Sequence, residues 1–273
     1  NRELIGREAQ VRTLLATFER VELSNALLLA SPGSGKALDD ATPVPVDDER
    51  GYVRIGDIVV GDTVFDERGL PCIVQGVYPQ GEKEAFEVVF GHGERVVCCD
   101  EHLWEVREDG GDWKTLSLGD SRRRDIFDSH GLPRFSIPVA KAIKRSRPVS
   151  VPIDVKRYVR QGVVFLPLPE DVLLMSVPDK VALIDALREA TLQSLVVGER
   201  GIVCSSHDIA CVVAALVTAT GMRADISSLG TRYLVAASYV GEAEDIVAIR
   251  KLDEKRSMTC IRVDSPSSLY LAG

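Results

Sequence analysis

Residues 33–36, GSGK, carry the end of a phosphate-binding loop of the form G-x-x-x-x-G-K-[ST], but Lys36 is followed by Ala37 where a hydroxyl belongs. In such a loop main-chain amides cradle phosphate and the Ser or Thr hydroxyl holds Mg²⁺. A methyl group ligates no metal, Ala30 replaces the loop's first glycine, and Pro43 and Pro45 remove donors where the following helix has to form. A second group of reactive types stands in CCDEHLW, residues 98–104. Cys98, Cys99 and His102, with His92 upstream, have the types of zinc ligands but not the spacing of paired chelating knuckles, so a metal is not expected. The six cysteines, at 72, 98, 99, 204, 211 and 260, show no disulfide-framework spacing. Reduced thiols are therefore expected, and a reduced thiol can be a nucleophile.

Residues that do chemistry must be held by a core. A chain of 273 residues with 45% hydrophobic residues can bury one, and the length suggests two domains. No apolar run approaches the roughly 18 residues that span a bilayer, and NRELIGREAQ has no signal-peptide character. The expected location is the cytoplasm. A net charge of -8 argues against the whole chain binding nucleic acid. Leu4, Val11, Leu14, Leu15 and Phe18 recur at helical intervals over 2–20, and NALLLA reads as a short buried strand. Helix, strand and phosphate loop together form the entry to a P-loop ATPase.

From Ala37 the texture changes to short strands punctuated by Gly-Asp, Arg-Gly and Gly-His-Gly turns, which predicts a β-rich domain. Residues 134–160 are rich in Arg and Lys and are flanked or interrupted by Pro133, Pro138, Pro148 and Pro152. They read as an exposed connector, with a domain boundary near 150. Over 151–240, DKVALIDALREAT and SSHDIACVVAALVTATG have helical spacing, while GIVCSS and TRYLVAASYV read as strands. A further β segment, 241–273, closes the chain. The order β, α+β, β predicts one domain interrupted by another.

That interruption accounts for the broken loop. ALDDATPVPVDD, GERVVCCDEHLWEV and MTCIRVDSPSSLYLAG resemble the first, second and penultimate conserved blocks of an intein, a self-splicing insert in a host protein. The resemblance covers Ala37 to Gly273. It implies an N-extein from a P-loop ATPase at 1–36, a Hint domain at 37–150 and 241–273, and an insert at 151–240. The fold implied is a mainly β Hint (Hedgehog/intein) horseshoe with an inserted α+β LAGLIDADG-like domain. On this reading the missing Ser or Thr is the first residue of the C-extein, where splicing also needs a hydroxyl or thiol.

Most inteins begin with Cys or Ser, and Ala37 offers no nucleophile. Either the substitution is inactivating, or the chain belongs to the third mechanistic class. That class lacks the first nucleophile but has a Trp two residues after the second-block His and a Cys in the penultimate block. His102, Trp104 and Cys260 match this pattern. The resemblance then implies that Cys260 attacks the carbonyl of Lys36, that His102 protonates the departing nitrogen of Ala37, and that a branched thioester forms on Cys260. Transfer to the C-extein and cyclisation of a terminal Asn would follow, on residues that this sequence does not include. Two positions depart from the family. Cys99 stands where T-x-x-H has its Thr, and Ser268 stands where many relatives have a His. The plain alternatives are a core His102, a core Trp104 and a Cys260 that is a small buried hydrophobe. Oxidation of Cys98 or Cys99 with Cys260 would make a redox switch.

The segment FLPLPEDVLLMSVPDKVALIDALREAT resembles half of a LAGLIDADG homing endonuclease, with 179–190 as the motif helix. Such a site needs a carboxylate at the helix end to hold a divalent cation. Thr191 occupies that place, with Glu189 nearby, and a monomeric enzyme needs a second such helix, which the sequence lacks. Nuclease activity is expected to be lost, although Arg134–Arg160 could touch phosphate backbone. The sequence thus predicts a monomeric, single-turnover acyl-transfer precursor. Its partners are host exteins in cis, with no cofactor, no metal and no membrane. The competing readings are a nucleotide-binding ATPase fragment and an active DNA endonuclease.

Overall fold

Alternating apolar residues broken by glycine turns can bury their apolar face only by pairing strand with strand. The computed structural model describes residues 37–91, 94–192, 201–239 and 241–272, together with the main chain of 27–29. It divides into two compact units, Asn1–Ala140 with Gly241–Gly273, and Lys141–Val240. The chain is mainly β, and the second unit is inserted within the first. The helix read at 2–20 lies outside the described residues.

The first unit contains β1 (Leu27–Leu29), β2 (Leu38–Asp39), β3 (Pro43–Pro45), β4 (Tyr52–Arg54), β5 (Thr63–Phe65) and β6 (Pro71–Lys83). It continues with β7 (Phe86–Phe90), β8 (Arg95–Cys98), β9 (Leu103–Glu108), β10 (Trp113–Ser117), the short helix α1 (Leu118–Arg122) and β11 (Phe135–Pro138). The second unit holds α2 (Val155–Tyr158), β12 (Val159–Arg160), β13 (Val163–Val164), α3 (Val177–Thr191), β14 (Ile202–Cys204), α4 (His207–Thr218), β15 (Met222–Leu229) and β16 (Arg232–Tyr239). The chain then returns to the first unit through β17 (Ala243–Lys251), β18 (Arg256–Val263) and β19 (Leu269–Leu271).

In the first unit a 10-stranded sheet runs β10-β9-β11-β17-β7-β8-β2-β18-β6-β5, while β1 pairs with β19 and β3 with β4. Its strands meet antiparallel, and β6, 13 residues long, pairs with β18 from Val74 opposite Val263 to Lys83 opposite Arg256. Phe65, Phe86, Phe90, Trp104 and Phe135 are fully buried in this unit. Each large apolar side chain so buried stabilises the fold by about 1.5–3 kcal/mol.

Part of the expected connector is a strand of this sheet. Phe135 and Ile137 are buried, Ser136 and Pro138 less so, and β11 sits between β9 and β17. Period-2 alternation within FSIP outweighs the surrounding basic residues and prolines. The second unit opens at Lys141, ahead of the expected boundary near 150. The N–H of Ile143 donates to Ala219 O at 3.3 Å and Arg145 Nε donates to Leu173 O at 3.1 Å, which draws these residues into it.

The second unit's sheet runs β12-β13-β14-β16-β15, parallel only between β13 and β14. Ser176 caps α3 by accepting from Asp179 N at 3.2 Å, and Ser206 caps α4 by accepting from Ile209 N at 3.4 Å. The buried stripe of α3 is Lys180, Leu183, Ile184, Leu187 and Thr191, the spacing of one helical face. Lys180 is fully buried there, and its Nζ makes no hydrogen bond. Among the described residues no helix is long and apolar enough to cross a membrane.

Candidate active site

The sequence around Ala37 forms β2 because Leu38 is apolar and its neighbours close a tight exit. The N–H groups of Ala41 and Thr42 donate back to Asp39, to Oδ1 at 2.9 Å and O at 2.8 Å. Ser257 Oγ donates to Asp40 Oδ2 at 2.6 Å, and Asp40 N donates to Ser257 O at 2.9 Å. The strand is thereby fixed between two partners. Leu38 lies opposite Cys98 of β8 on one side and opposite Thr259 of β18 on the other. One further step of the same antiparallel registers puts Ala37 opposite Cys99 on one side and Cys260 on the other. Ala37, Ala85, Cys99, Met258 and Cys260 form a small apolar cluster of their own.

Cys99 engages Ala37 twice. Its N–H donates to Ala37 O at 3.1 Å, and its Sγ accepts from Ala37 N at 3.3 Å. In a regular ladder the second bond would go to the carbonyl of Cys99. That carbonyl instead accepts from His102 N at 3.1 Å, so the sulfur takes its place. Burial pushes the Cys99 thiol up, the Ala37 N–H opposes this, and Glu101 adds to it. Cys99 is therefore a neutral thiol that accepts a hydrogen bond.

The turn of residues 99–102 is clamped by α1. Ser117 caps that helix, accepting from Asp120 N at 3.0 Å. Leu118 N donates to His102 O at 2.8 Å, Gly119 N donates to Asp100 O at 2.8 Å, and Arg122 Nε reaches Asp100 Oδ1 at 3.1 Å. A Cβ on Gly119 would stand 2.7 Å from Asp100 Oδ2, so a side chain there would have to push this carboxylate aside. His102 is fully buried, and its ring meets Trp104 edge-on, with centroids 5.4 Å apart and planes at 76°. Trp104 in turn meets Phe90 at 6.0 Å and 61°. Trp104 is thus both a core residue and the surface against which His102 rests.

Cys98 and Cys99 face opposite sides of the sheet, as successive strand residues must. Cys98 belongs to the main core with Trp104. Burial pushes its thiol well up, with Cys99 adding to the rise and the Trp104 indole only partly offsetting it. The two sulfurs do not converge on one ion. Among the described residues no group of three or more His, Cys, Asp or Glu could hold a metal, and His92 lies outside them. All six cysteines are free.

Cys260 is buried in β18, and its Sγ points to Ile261 O at 3.7 Å. The buried phenol of Tyr270 is held well above its usual range, by burial first and by Cys260 second. Lys36 lies outside the described residues. Ser268 sits in the turn before β19, with φ 57° and its N–H donating to Ser265 O at 2.9 Å. In the second unit Thr191 is buried and its Oγ1 donates back to Leu187 O at 3.0 Å, while Glu189 is exposed. The buried face of α3 therefore ends in a hydroxyl turned onto its own helix.

Sequence reading overlooked the clamp. The pattern Ser117-x-x-Asp120 is a helix-start signal that could have located α1, but nothing local in the sequence joins Gly119 to Asp100. Tyr270 was equally silent, since a Tyr in an apolar run reads as core.

No family model and no curated protein sequence matches the chain. Among solved structures, a variant of the gp41-1 intein is similar at 14% identity and TM-score 0.35, over 87% of this chain and 98% of its own. The MchDnaB-1 intein is similar at 16% identity and TM-score 0.37, over 87% and 94%. The DnaX mini intein from Spirulina platensis is similar at 12% identity and TM-score 0.36, over 87% and 96%.

Proposed function

We propose that the chain is a self-splicing precursor of the third intein class, in which Cys260 is the first nucleophile and Lys36–Ala37 is the scissile bond. The observation that carries this reading is the register of β2, which sets Ala37 between Cys99 and Cys260. Cys260 Sγ, as thiolate, adds to the carbonyl carbon of Lys36. The carbon–nitrogen bond breaks, and the nitrogen of Ala37 leaves as an amine after taking a proton from His102. The acyl group remains as a thioester on Cys260. An amide nitrogen leaves poorly unless protonated, and an imidazole can exchange protons near neutral pH. Cys99 orients the N–H that must turn into the leaving amine, and Trp104 orients His102.

In this reading residues 1–36 belong to a P-loop ATPase host, whose exteins are the partners in cis. The second unit is a degenerate LAGLIDADG remnant without nuclease activity, and the precursor works as a cytoplasmic monomer. The buried Thr191 and exposed Glu189 favour the loss of nuclease chemistry.

The test is the intact mass of the purified chain before and after excess thiol, beside Cys260→Ala. Thiol-dependent loss of residues 1–36 from the parent but not from the variant is expected. Loss from both chains assigns the nucleophile elsewhere.

A further inference from the structure

Strand β1 lies upstream of Lys36, in the segment that the proposed reaction would transfer, yet it is paired within the first unit. Leu27 lies opposite Leu271, Leu28 opposite Tyr270 and Leu29 opposite Leu269. The main chain of β1 also runs close to that of β9, the strand that carries Trp104. Leu269, Tyr270 and Leu271 are buried. Buried peptide groups need partners, because an unmade hydrogen bond leaves their lost hydration uncompensated. Local bonds cover only part of the need: Ser265 Oγ donates to Leu269 O at 2.9 Å, and Leu269 N donates to Ser267 Oγ at 3.3 Å. Among the described residues β1 is the one strand paired with β19.

The junction therefore lies between two anchors in the sequence, β1 upstream and β2 downstream. Holding both sides of a bond removes the freedom that would otherwise have to be lost on the way to the transition state. Main-chain pairing reads extended conformation and β propensity rather than particular side chains. The same residues, NALLLA, form the strand that enters the phosphate loop in the ATPase reading. Pairing with β19 takes one of this strand's two edges, which is then closed to a host sheet.

We propose that Leu27–Leu29 is a recognition strand: β19 captures an apolar, β-forming segment upstream of the junction, and this capture positions the Lys36–Ala37 bond for attack. The substrate class is thereby narrowed to hosts with such a segment. The inference rests on the self-processing reading, and its test separates the two.

The experiment uses the full chain with proline at 27, 28 and 29 together (Leu27→Pro, Leu28→Pro, Leu29→Pro), a second variant with valine at the same three positions, and the parent. It follows thiol-dependent release of residues 1–36 by intact mass, and amide exchange at 27–29 and 269–271. Proline cannot donate to a ladder, whereas valine keeps the main chain and favours strands. The expected result is release at least tenfold slower with proline and rescued by valine, with the protection of 269–271 lost only in the proline variant. Equal release by parent and proline variant, or unprotected amides at 27–29 in the parent, overturns the recognition strand while leaving the cleavage reading intact. A parent that releases nothing under thiol overturns the cleavage reading and the recognition role with it.

Discussion

Cys99 holds Ala37 from both directions, giving its N–H to the Ala37 carbonyl at 3.1 Å and taking the Ala37 N–H on its sulfur at 3.3 Å. The cysteine stands where the resemblance places a threonine, and the geometry gives its side chain the part of an acceptor. A sulfur accepts weakly, so the contact orients the peptide unit more than it stabilises it.

Removal of this acceptor should slow the first step without unfolding the chain. Cys99→Ala is expected to reduce the rate of thiol-dependent release by about twofold, the equivalent of about 0.5 kcal/mol, the low end for one hydrogen bond. Cys99→Thr, which restores an acceptor, should recover it. A time course of intact mass at fixed thiol gives both rates, and an unaltered rate for Cys99→Ala would mean that the sulfur contact is incidental.

Gly119→Ala should disturb the turn of residues 99–102, because its Cβ would meet Asp100 Oδ2 at 2.7 Å. A loss of up to about 1 kcal/mol in urea unfolding is expected, because the displaced carboxylate gives up its contact with Arg122 while alanine favours the helix. Asp100→Ala removes the obstructing carboxylate, so the glycine substitution should cost markedly less in that background. Additive costs in the double-mutant cycle would place the strain elsewhere.

Lys180 makes the stability of the second unit depend on pH. Burial, with Arg145 adding to it, pulls its ammonium down from 10.5 to about 8. The folded state therefore binds fewer protons than the unfolded state between these values. Stability should rise as pH climbs from about 8 to 9, because above about 9 the Cys204 and Cys211 thiols of the same unit, raised by burial to about 12 and about 11, keep their protons only in the folded state and act in the opposite sense. At neutral pH the charged, unbonded amine costs about 3 kcal/mol at the exchange of 1.36 kcal/mol per pKa unit. Lys180→Met should recover a stabilisation of that order at pH 7 and abolish the alkaline rise, read as amide exchange of α3 in the full chain. A methionine variant as pH-dependent as the parent would assign the rise to another group.

Oxidation should not join Cys99 to Cys260. β2 lies between β8 and β18, and two strand spacings make about 9–10 Å. A disulfide needs Cα atoms closer than about 7 Å. Peptide mapping after diamide treatment of the folded chain is expected to show no such bridge. Its appearance would mean that β2 leaves its place while the rest of the sheet persists.

The legible parts of the fold were those with local causes. α3 and α4 follow from apolar spacing, and β14 and β16 from β-branched and aromatic residues between turns. Arg134, Lys141, Lys144 and the prolines dominate the composition around β11 and point to a connector, although FSIP alternates. At the site, motifs named Cys99, His102, Trp104 and Cys260, yet no motif carries the register that sets Ala37 among the thiols. Register and the Gly119–Asp100 contact are tertiary facts, decided by pairings remote in sequence.

The burial of Ala37 bears on the direction of the reaction. An α-amine in water is half-charged near pH 8, but at a fully buried position the charged form is disfavoured. If the proposed cleavage releases an amine there, it stays neutral and nucleophilic, close to the acyl group. In the proposed reaction the thioester on Cys260 is then returned to the amide by that amine, and the step becomes a commitment only when a second acceptor, external thiol or downstream residue, removes the acyl group.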